Sequence, residues 1–439
     1  PSAAITQPLS SVNILKKARA MADKSQRDMK KRVVISGLGM VTPLGVGKEE
    51  FYQRLFGGEN GISEIKSFDT NDFTSHLGAE VTKFAPRDFI SVKNLRRMDK
   101  ISPMAVAAAR MALEDAKIQI NENNRDRIGI ILSSAFGATD VTVQFAETLL
   151  GQGPSVVNPI LVPNTVMNAP AGHASIELGF RGVNTTVTHY AVSAEIAIAY
   201  AVAEIRRGTA DFILTGGVDI LSKFYYESLA RFHALSPAEG GQEGSRPFDQ
   251  ARNGFVAGEG CGIVCLESME SARQRSVNYY CEIKGSGLGS SVCGPTQWPR
   301  ESSGIEKAIA RALKDSEVEA TAIDAIYAAA NGGRDLDAAE AQAYEKVFAA
   351  GPQKPAVTAI KGALGESFSG GGMRACALAL SIKEKVLPPT VGLINPSFPL
   401  KYVMKEQQKI NIKNALLSGI SFGGTYAYLV FAGRGEQGE

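Results

Sequence analysis

Ala194-Glu-Ile-Ala-Ile-Ala-Tyr-Ala-Val-Ala-Glu-Ile-Arg-Arg207 reads as a helix that is apolar on nearly every face, and that property decides the fold. A helix lying at a protein surface confines its apolar residues to one stripe, whereas one without a polar face is buried on all sides. Gly372-Met-Arg-Ala-Cys-Ala-Leu-Ala-Leu-Ser-Ile-Lys-Glu-Lys385 has the same character, and each helix is entered from a glycine or small-residue turn. Two such helices need packing surfaces on both sides. A sheet–helix–sheet sandwich made of two similar halves provides them.

Outward from these helices, short apolar β-branched runs alternate with helical stretches, the pattern of an α/β chain. Val33–Gly37, Ile128–Leu132, Thr185–Thr188, Phe212–Thr215 and Gly262–Leu266 are strand candidates ahead of a break near residue 275. Tyr280–Lys284, Ala325–Ala330, Ala356–Ala359, Ala415–Ser418 and Ala427–Phe431 follow it. Asp99–Ala116 is an alanine-rich helix with Met104, Val106, Met111 and Leu113 at helical spacing; Ser303–Ser316 and Leu336–Ala349 are amphipathic. The chain therefore divides into a leader (1–30), two halves (31–275 and 276–434) and a short tail (435–439).

The bulk numbers exclude several function classes. With 44% hydrophobic and 21% charged residues among 439, the chain is an ordered globular protein rather than a disordered one. A net charge of +2 leaves no basic surplus for nucleic-acid binding, and no run approaches the roughly 18 apolar residues of a membrane-spanning helix. Cys261, Cys265, Cys281, Cys293 and Cys376 form an odd set without a regular framework, which reads as free thiols in a reducing, cytoplasmic compartment. Cys261-Gly-Ile-Val-Cys265 has metal-like spacing, but no second Cys/His pair follows and the segment alternates like a buried strand, so no metal site is expected. The leader carries Lys16, Lys17, Arg19, Lys24, Arg27 and Lys30 with few acids. A transit peptide, a tag or a linker all fit, and Met29 offers a native start.

Four segments are more specific. Arg32-Val-Val-Ile-Ser-Gly-Leu-Gly-Met-Val-Thr-Pro-Leu-Gly45 resembles the first strand and turn of β-ketoacyl synthases. Arg246-Pro-Phe-Asp249 with Gly254-Phe-Val-Ala-Gly-Glu-Gly260 resembles their central glycine-rich segment, and Val157–Gly172, closing on Ala169-Pro-Ala-Gly-His173, the stretch before their active-site strand. Ser421-Phe-Gly-Gly-Thr425 resembles their C-terminal glycine loop. The resemblance spans roughly residues 31–433 in the family's order. It implies a thiolase-type αβαβα five-layer sandwich of two pseudo-repeated halves, working as a dimer.

The resemblance also implies a chemistry, decarboxylative Claisen condensation. A cysteine at a strand-to-helix turn holds the growing acyl chain as a thioester, its thiolate favoured by the helix N-terminus. Two histidines stabilise the enolate of the malonyl thioester, and backbone N–H groups, one of them from the loop Phe422-Gly423-Gly424, hold the oxyanion. At the matching positions this chain differs. The Thr-Ala-Cys-Thr-Ser turn is His189-Tyr190-Ala191-Val192-Ser193, so Ala191 stands at the nucleophile. The first histidine position falls at Asn331, within a residue or two, and Ala325–Ala339 contains no histidine. The Lys-x-x-x-Gly-His motif is Lys361-Gly-Ala-Leu-Gly365-Glu366: the lysine is retained and the histidine is Glu366.

Ketosynthase-like subunits with this kind of loss are the chain length factors, or ketosynthase β subunits, of type II polyketide synthases. Leu336-Asp-Ala-Ala-Glu340-Ala and Ser369-Gly-Gly-Gly372 resemble their segments. A departure is Ala191 itself, where those subunits usually carry a glutamine tied to malonyl decarboxylation. The resemblance implies a non-catalytic subunit without independent activity, metal or organic cofactor. It would pair with an active ketosynthase α subunit and shape a poly-β-keto or polyene chain carried on the phosphopantetheine of acyl carrier protein. It also places a tunnel wall on the helix within Phe136–Leu150, at Thr139, Thr142 and Ala146, where small residues leave room for a long chain. A plain interface helix is the alternative, and Phe145 lies one residue off the stripe.

Other readings stay beside these. Ser193 is a helix-start hydroxyl rather than a substitute nucleophile, His189 a packed or hydrogen-bonded histidine, and His173 structural. Lys361 and Glu366 form an ion pair filling vacated space. The rival functions are a ketosynthase-fold enzyme repurposed for malonyl decarboxylation or acyl transfer through Lys361, Glu366 or His189, and a structural partner without influence on chain length.

Overall fold

Five strands of the first half are β1 (Val33–Thr42), β2 (Ile128–Ser133), β3 (Asn184–Val187), β4 (Phe212–Asp219) and β5 (Gly260–Ser268). Their counterparts are β6 (Cys281–Ser290), β7 (Ala325–Tyr327), β8 (Ala356–Thr358), β9 (Asn414–Ser421) and β10 (Thr425–Ala432). The computed structural model describes residues 31–434 except 239 and 352; the leader 1–30 and the tail 435–439 lie outside the described residues.

The strand order is β1-β5-β4-β2-β3 in one half and β6-β10-β9-β7-β8 in the other, the same permutation twice. The senses repeat as well: β5 is antiparallel to β1 and β4, and β2 parallel to β4 and β3. Likewise β10 is antiparallel to β6 and β9, and β7 parallel to β9 and β8. The halves join edge to edge, because β1 pairs with β6 through Val33–Ile35 and Cys281–Ile283, giving one twelve-stranded sheet. At its far end β3 has a strand neighbour on one side only.

The seven longest helices are α1 (Ile101–Asp115), α2 (Thr139–Gln152), α3 (Ala169–Leu178), α4 (Ser193–Arg207), α5 (Ser303–Ser316), α6 (Arg334–Val347) and α7 (Gly371–Glu384). α4 and α7 are the all-apolar pair. They touch each other, α4 lying against β2, β4 and β5 and α7 against β5, β4 and β9, which makes them the central layer. α1 covers β1 and α5 covers β6 from outside. The thiolase-type αβαβα sandwich is thus present with its internal repeat.

Close backbone approach repeats too. A Cβ on Gly37 or Gly39 of β1 would lie 2.1 or 1.9 Å from the Ala112 or Ala108 carbonyl oxygen of α1. On β6, a Cβ on Gly285 would lie 2.5 Å from Ser316 N and one on Gly287 2.1 Å from the Ala308 oxygen of α5. Each outer helix therefore rests directly on strand backbone, which only glycine permits.

Two expectations need adjustment. The strand expected over Ala325–Ala330 stops at Tyr327, because the N–H groups of Ala329 and Ala330 turn to the buried Glu340 carboxylate and those of Asn331 and Gly332 to Asp337. The helix placed within Phe136–Leu150 begins only at Thr139, since Asp219 captures the Ala135 and Phe136 N–H groups and Gly137 takes φ +56°. Among the described residues no helix is long and apolar enough to cross a membrane.

Candidate functional site

After β3 the chain turns through a short 3₁₀ segment, Tyr190–Val192, into α4. Tyr190 is forced to φ +49°, an uncommon left-handed conformation for a residue with a Cβ. Ser193 closes the turn: its Oγ accepts the His189 N–H at 2.6 Å and donates to the Tyr190 carbonyl at 2.6 Å. That hydroxyl both accepts and donates within the helix-start turn. Ala191 is 2% exposed, and its methyl sits in an apolar cluster with Tyr225, Phe255 and Phe368.

Aromatic rings dominate that cluster. Phe136 lies 4.2 Å from Tyr225 and 5.5 Å from Phe368, centroid to centroid, and Phe368 lies 5.7 Å from Phe255 and 5.6 Å from Phe422. Phe422 in turn meets Tyr190 at 4.6 Å and Trp298 at 5.5 Å. The seven rings come from seven separate segments and meet edge-on or tilted, the geometry that packs rings most favourably. The space around Ala191 is occupied by side chains.

Behind the rings lies a buried charged network that gathers the other sequence-predicted positions. Glu366 Oε2 accepts from Lys361 Nζ at 2.6 Å and from Asn331 Nδ2 at 2.8 Å, with Lys361 and Glu366 side chains 5% and 1% exposed. Each member is locally determined. Gly365 takes φ +68°, and a Cβ there would lie 2.9 Å from the Ala257 carbonyl oxygen, so the chain passes close beside the central glycine segment. Glu366 then joins that segment through its own N–H to Val256 O (2.7 Å) and the Gly258 N–H to Glu366 O (3.0 Å). The Asn331 turn is held by Asp337 and Glu340, two carboxylates three apart on one face of α6.

Arg374 of α7 pairs with Glu195 of α4 in the same interior, and Arg374 also donates to the carbonyls of Ala328 and Ser418. The buried cations thus fall in two pairs, Lys361 with Glu366 and Arg374 with Glu195. Burial pushes the Glu195 carboxyl up against the pull of Arg374, and burial holds the Lys361 ammonium below its ordinary value despite Glu366. Burial, reinforced by the Glu366 charge, also pushes the Tyr225 hydroxyl well up. Asp337, desolvated by burial, is pushed up to about 7 although three backbone N–H groups point at it.

The glycine loop Phe422-Gly423-Gly424 is the turn between β9 and β10, with both glycines at positive φ (77° and 74°). Its glycine N–H groups are already taken, Gly423 by Gln297 O at 2.9 Å and Gly424 by Ser421 O at 3.2 Å. Beside the loop a cavity of about 330 Å³ is lined by His189, Tyr190, Cys293, Phe422 and Thr425. His189 Nε2 meets Thr425 Oγ1 at 3.2 Å, and the Cys293 thiol donates to Gln297 O at 3.1 Å. His173 lies elsewhere, bonded through Nε2 to Asn164 Oδ1 at 2.7 Å and lowered by burial. On α2, Thr142 is exposed and Thr139 and Ala146 are half-buried; Thr142 Oγ1 donates to Ala138 O at 3.0 Å and reaches Thr165 O at 3.5 Å.

Comparison with known proteins fits this geometry. Residues 30–272 match the family model "Beta-ketoacyl synthase, N-terminal domain" and 280–393 the "Beta-ketoacyl synthase, C-terminal domain". The chain belongs to the β-ketoacyl synthase family. It is 33% identical over 405 residues to a 3-oxoacyl-[acyl-carrier-protein] synthase 2 of Staphylococcus aureus, covering 91% of this chain and 98% of that protein. A Synechocystis protein of the same name is 34% identical over 407 residues, covering 92% and 98%. Among solved structures, the ishigamide ketosynthase/chain length factor superposes with a TM-score of 0.86 at 30% identity, over 92% of this chain and all of that one.

Within this β-ketoacyl synthase chain, Asn331, Glu366 and Lys361 form one hydrogen-bonded set, with Ala191 under the neighbouring rings. An amide, a methyl and a carboxylate tied to an ammonium supply neither a thiol nucleophile nor a pair of neutral imidazoles. The ring cluster, Glu195 and Arg374 escaped the sequence reading. Rings gathered from separate segments leave no local pattern, and a single Glu or Arg inside an otherwise apolar helix gives no sign of its partner.

Proposed function

We propose that this member of the β-ketoacyl synthase family is a non-catalytic chain length factor. It pairs with an active ketosynthase and completes a tunnel that sets chain length during decarboxylative condensation of malonyl units on acyl carrier protein. Ala191, Asn331 and Glu366 are taken as the lost nucleophile and histidine positions, with Lys361 retained as a structural partner. The observation that carries the reading is the buried Asn331–Glu366–Lys361 set: side chains of non-catalytic type, hydrogen-bonded to one another through Glu366 Oε2, beside a methyl packed under aromatic rings. A chain poised for chemistry at those positions needs unfilled space and a free acid or base.

A second support is the surface. Of sixteen exposed large apolar side chains among the described residues, ten lie between Leu149 and Tyr200, among them Leu150 (86% exposed), Ile160 and Ile176. They belong to the end of α2, the segment after it, Ile176 of α3, the Tyr190 turn and a single position of α4, Tyr200. A concentration of this kind marks a surface that another chain covers. On this reading the wall positions are Thr139, Thr142 and Ala146, the halves divide at 275/276, and the chain works in the cytoplasm as one side of a heterodimer. Similarity to the ishigamide ketosynthase/chain length factor favours the same branch.

The rival is a repurposed decarboxylase or acyltransferase, favoured by about one-third identity to proteins named as synthases and by the cavity holding His189 and Cys293. One experiment separates them. The chain is co-expressed with ketosynthases carrying an intact cysteine, and both the complex and the isolated chain are assayed with malonyl- and acyl-carrier protein. A stable complex whose turnover vanishes with the partner's cysteine supports the subunit. Turnover by the isolated chain, or a stable homodimer that ignores every partner, overturns it.

A further inference from the structure

Away from the site described above, at the seam between the halves, lies a cavity of about 490 Å³. The connecting segment Val277–Tyr280, the ends of α1 and α7 and residues at both termini of the β9–β10 hairpin line it. Lys48, Lys117, Lys383, Lys385 and Arg434 face it, with Asp115 as the one carboxylate among its lining residues. No part of the proposed function uses these groups.

The carboxylate does not cancel that charge. Asp115 Oδ2 accepts the Leu38 N–H and the Tyr280 hydroxyl, each at 2.8 Å, and Oδ1 is paired with Lys48. Its charge is committed to three donors within the wall. Lys383 has a carboxylate only at 3.8 Å, that of the adjacent Glu384. For Lys117 and Lys385 no acidic partner occurs among the described residues. Arg434 is fixed at the rim by Tyr279 O, which accepts from Nε at 2.9 Å, and by Asn278.

Lysines beyond helix ends often offset the partial negative charge of the last carbonyls. Here α1 has other donors for that role: the Arg275 guanidinium donates to Ala116 O at 2.9 Å and to Lys117 O at 3.2 Å. Lys117 is thus left to the cavity. Like charges gathered around one recess repel unless an anion enters, and ammonium groups on flexible stems act as point-charge phosphate binders.

Ring geometry narrows the ligand. Arg434 covers the Tyr279 ring at 4.6 Å, and Lys383 and Lys48 cover the Tyr280 ring at 5.0 and 5.7 Å. Ring faces already occupied by cations do not stack a nucleobase. The recess is suited to a compact, multiply charged group and is larger than a single phosphate needs. We propose that this seam cavity binds a diphosphate group, recognised by Lys117, Lys383, Lys385 and Arg434. Because the wall includes the segment joining the halves, the ligand stabilises one half against the other. The proposal is independent of whether the chain is a chain length factor.

The test uses the full chain, as purified and with any partner, at fixed ionic strength near 0.15 M so that screening is constant. Binding of pyrophosphate and orthophosphate is measured by calorimetry, with thermal unfolding in parallel. Saturable pyrophosphate binding is expected, tighter than orthophosphate by about tenfold or more, with a rise in Tm. Lys117→Ala/Lys385→Ala, both at exposed positions, should weaken it by at least about tenfold, whereas Lys93→Ala outside the cavity should not. Displacement of pyrophosphate by coenzyme A or ATP supports a nucleotide-borne diphosphate, and failure to displace it supports the free ion. Absence of saturable binding, an affinity unchanged in the double variant, or equal stabilisation by orthophosphate overturns the site.

Discussion

Replacing Lys361 by methionine removes the one cation hydrogen-bonded to Glu366 among the described residues while leaving its carboxylate 1% exposed. One hydrogen bond remains, from Asn331 Nδ2 at 2.8 Å, and Glu366 Oε1 has no protein partner among the described residues. Two charges 2.6 Å apart attract by about 6 kcal/mol at an effective dielectric constant near 20. The remaining Arg374 recovers part of this, so the loss should fall at about 3–5 kcal/mol, the range for breaking one side of a buried pair. Lys361→Met/Glu366→Leu removes both charges together. It leaves chiefly the Asn331 amide unsatisfied, a cost of about 1–3 kcal/mol. Urea unfolding followed by circular dichroism, with midpoints compared at constant slope, reads the cycle. A Lys361→Met loss below about 1 kcal/mol, or a double variant as damaged as the sum of the singles, refutes the view of a closed ion pair. A folded double variant that abolishes product formation by the complex refutes a purely structural role for the pair.

Further outcomes follow from the same geometry. Ala191→Cys alone should give no condensation above background in a radiolabelled malonyl assay, since Asn331 and Glu366 remain; measurable turnover by the isolated variant contradicts the reading. Ala146→Phe, paired with an active ketosynthase, should shorten the polyketide seen by mass spectrometry, and unchanged products remove Ala146 from the tunnel wall. Phe368→Ala opens a void among four ring neighbours and should cost about 3–5 kcal/mol in unfolding, with a loss under 1 kcal/mol arguing that the rings are loosely packed. Asp337, at about 7 in the fold, binds its proton more tightly there than in the unfolded chain. Its contribution to stability should therefore fall as pH rises from about 4 to 7, by up to about 4 kcal/mol. Asp337→Asn should flatten stability over that window, and an unchanged slope assigns the dependence to other groups.

The layered fold was readable because its strongest signal is chemical: the α4 and α7 segments have no face that water would favour. The repeated strand order was not readable, since period-two alternation marks strands without saying which neighbour each takes. At the site, Ala191, Asn331, Glu366 and Lys361 could be located because glycine-rich turns bracket them. The Lys361–Glu366 pair was legible too, from its spacing of five across a glycine turn, whereas the contact of Asn331 with Glu366 was not, because the two are 35 residues apart and meet only through folding. The end of β7 was misjudged for a similar reason. Ala328, Ala329 and Ala330 look like strand until Asp337 and Glu340, on the following helix, draw the chain out of the ladder.

The far edge of the sheet has its own consequence. Among the described residues, β3 offers one row of backbone N–H and C=O groups to no neighbouring strand, with Asn184 and Thr185 exposed and the apolar residues of the α2–α3 surface in the same half. Such an edge is a template for any extended chain it meets. Left uncovered, that rim stays sticky through synthesis and storage, so yield of the lone chain should depend on chaperones and concentration. If the proposed companion chain covers this edge, producing the two together protects the rim during folding.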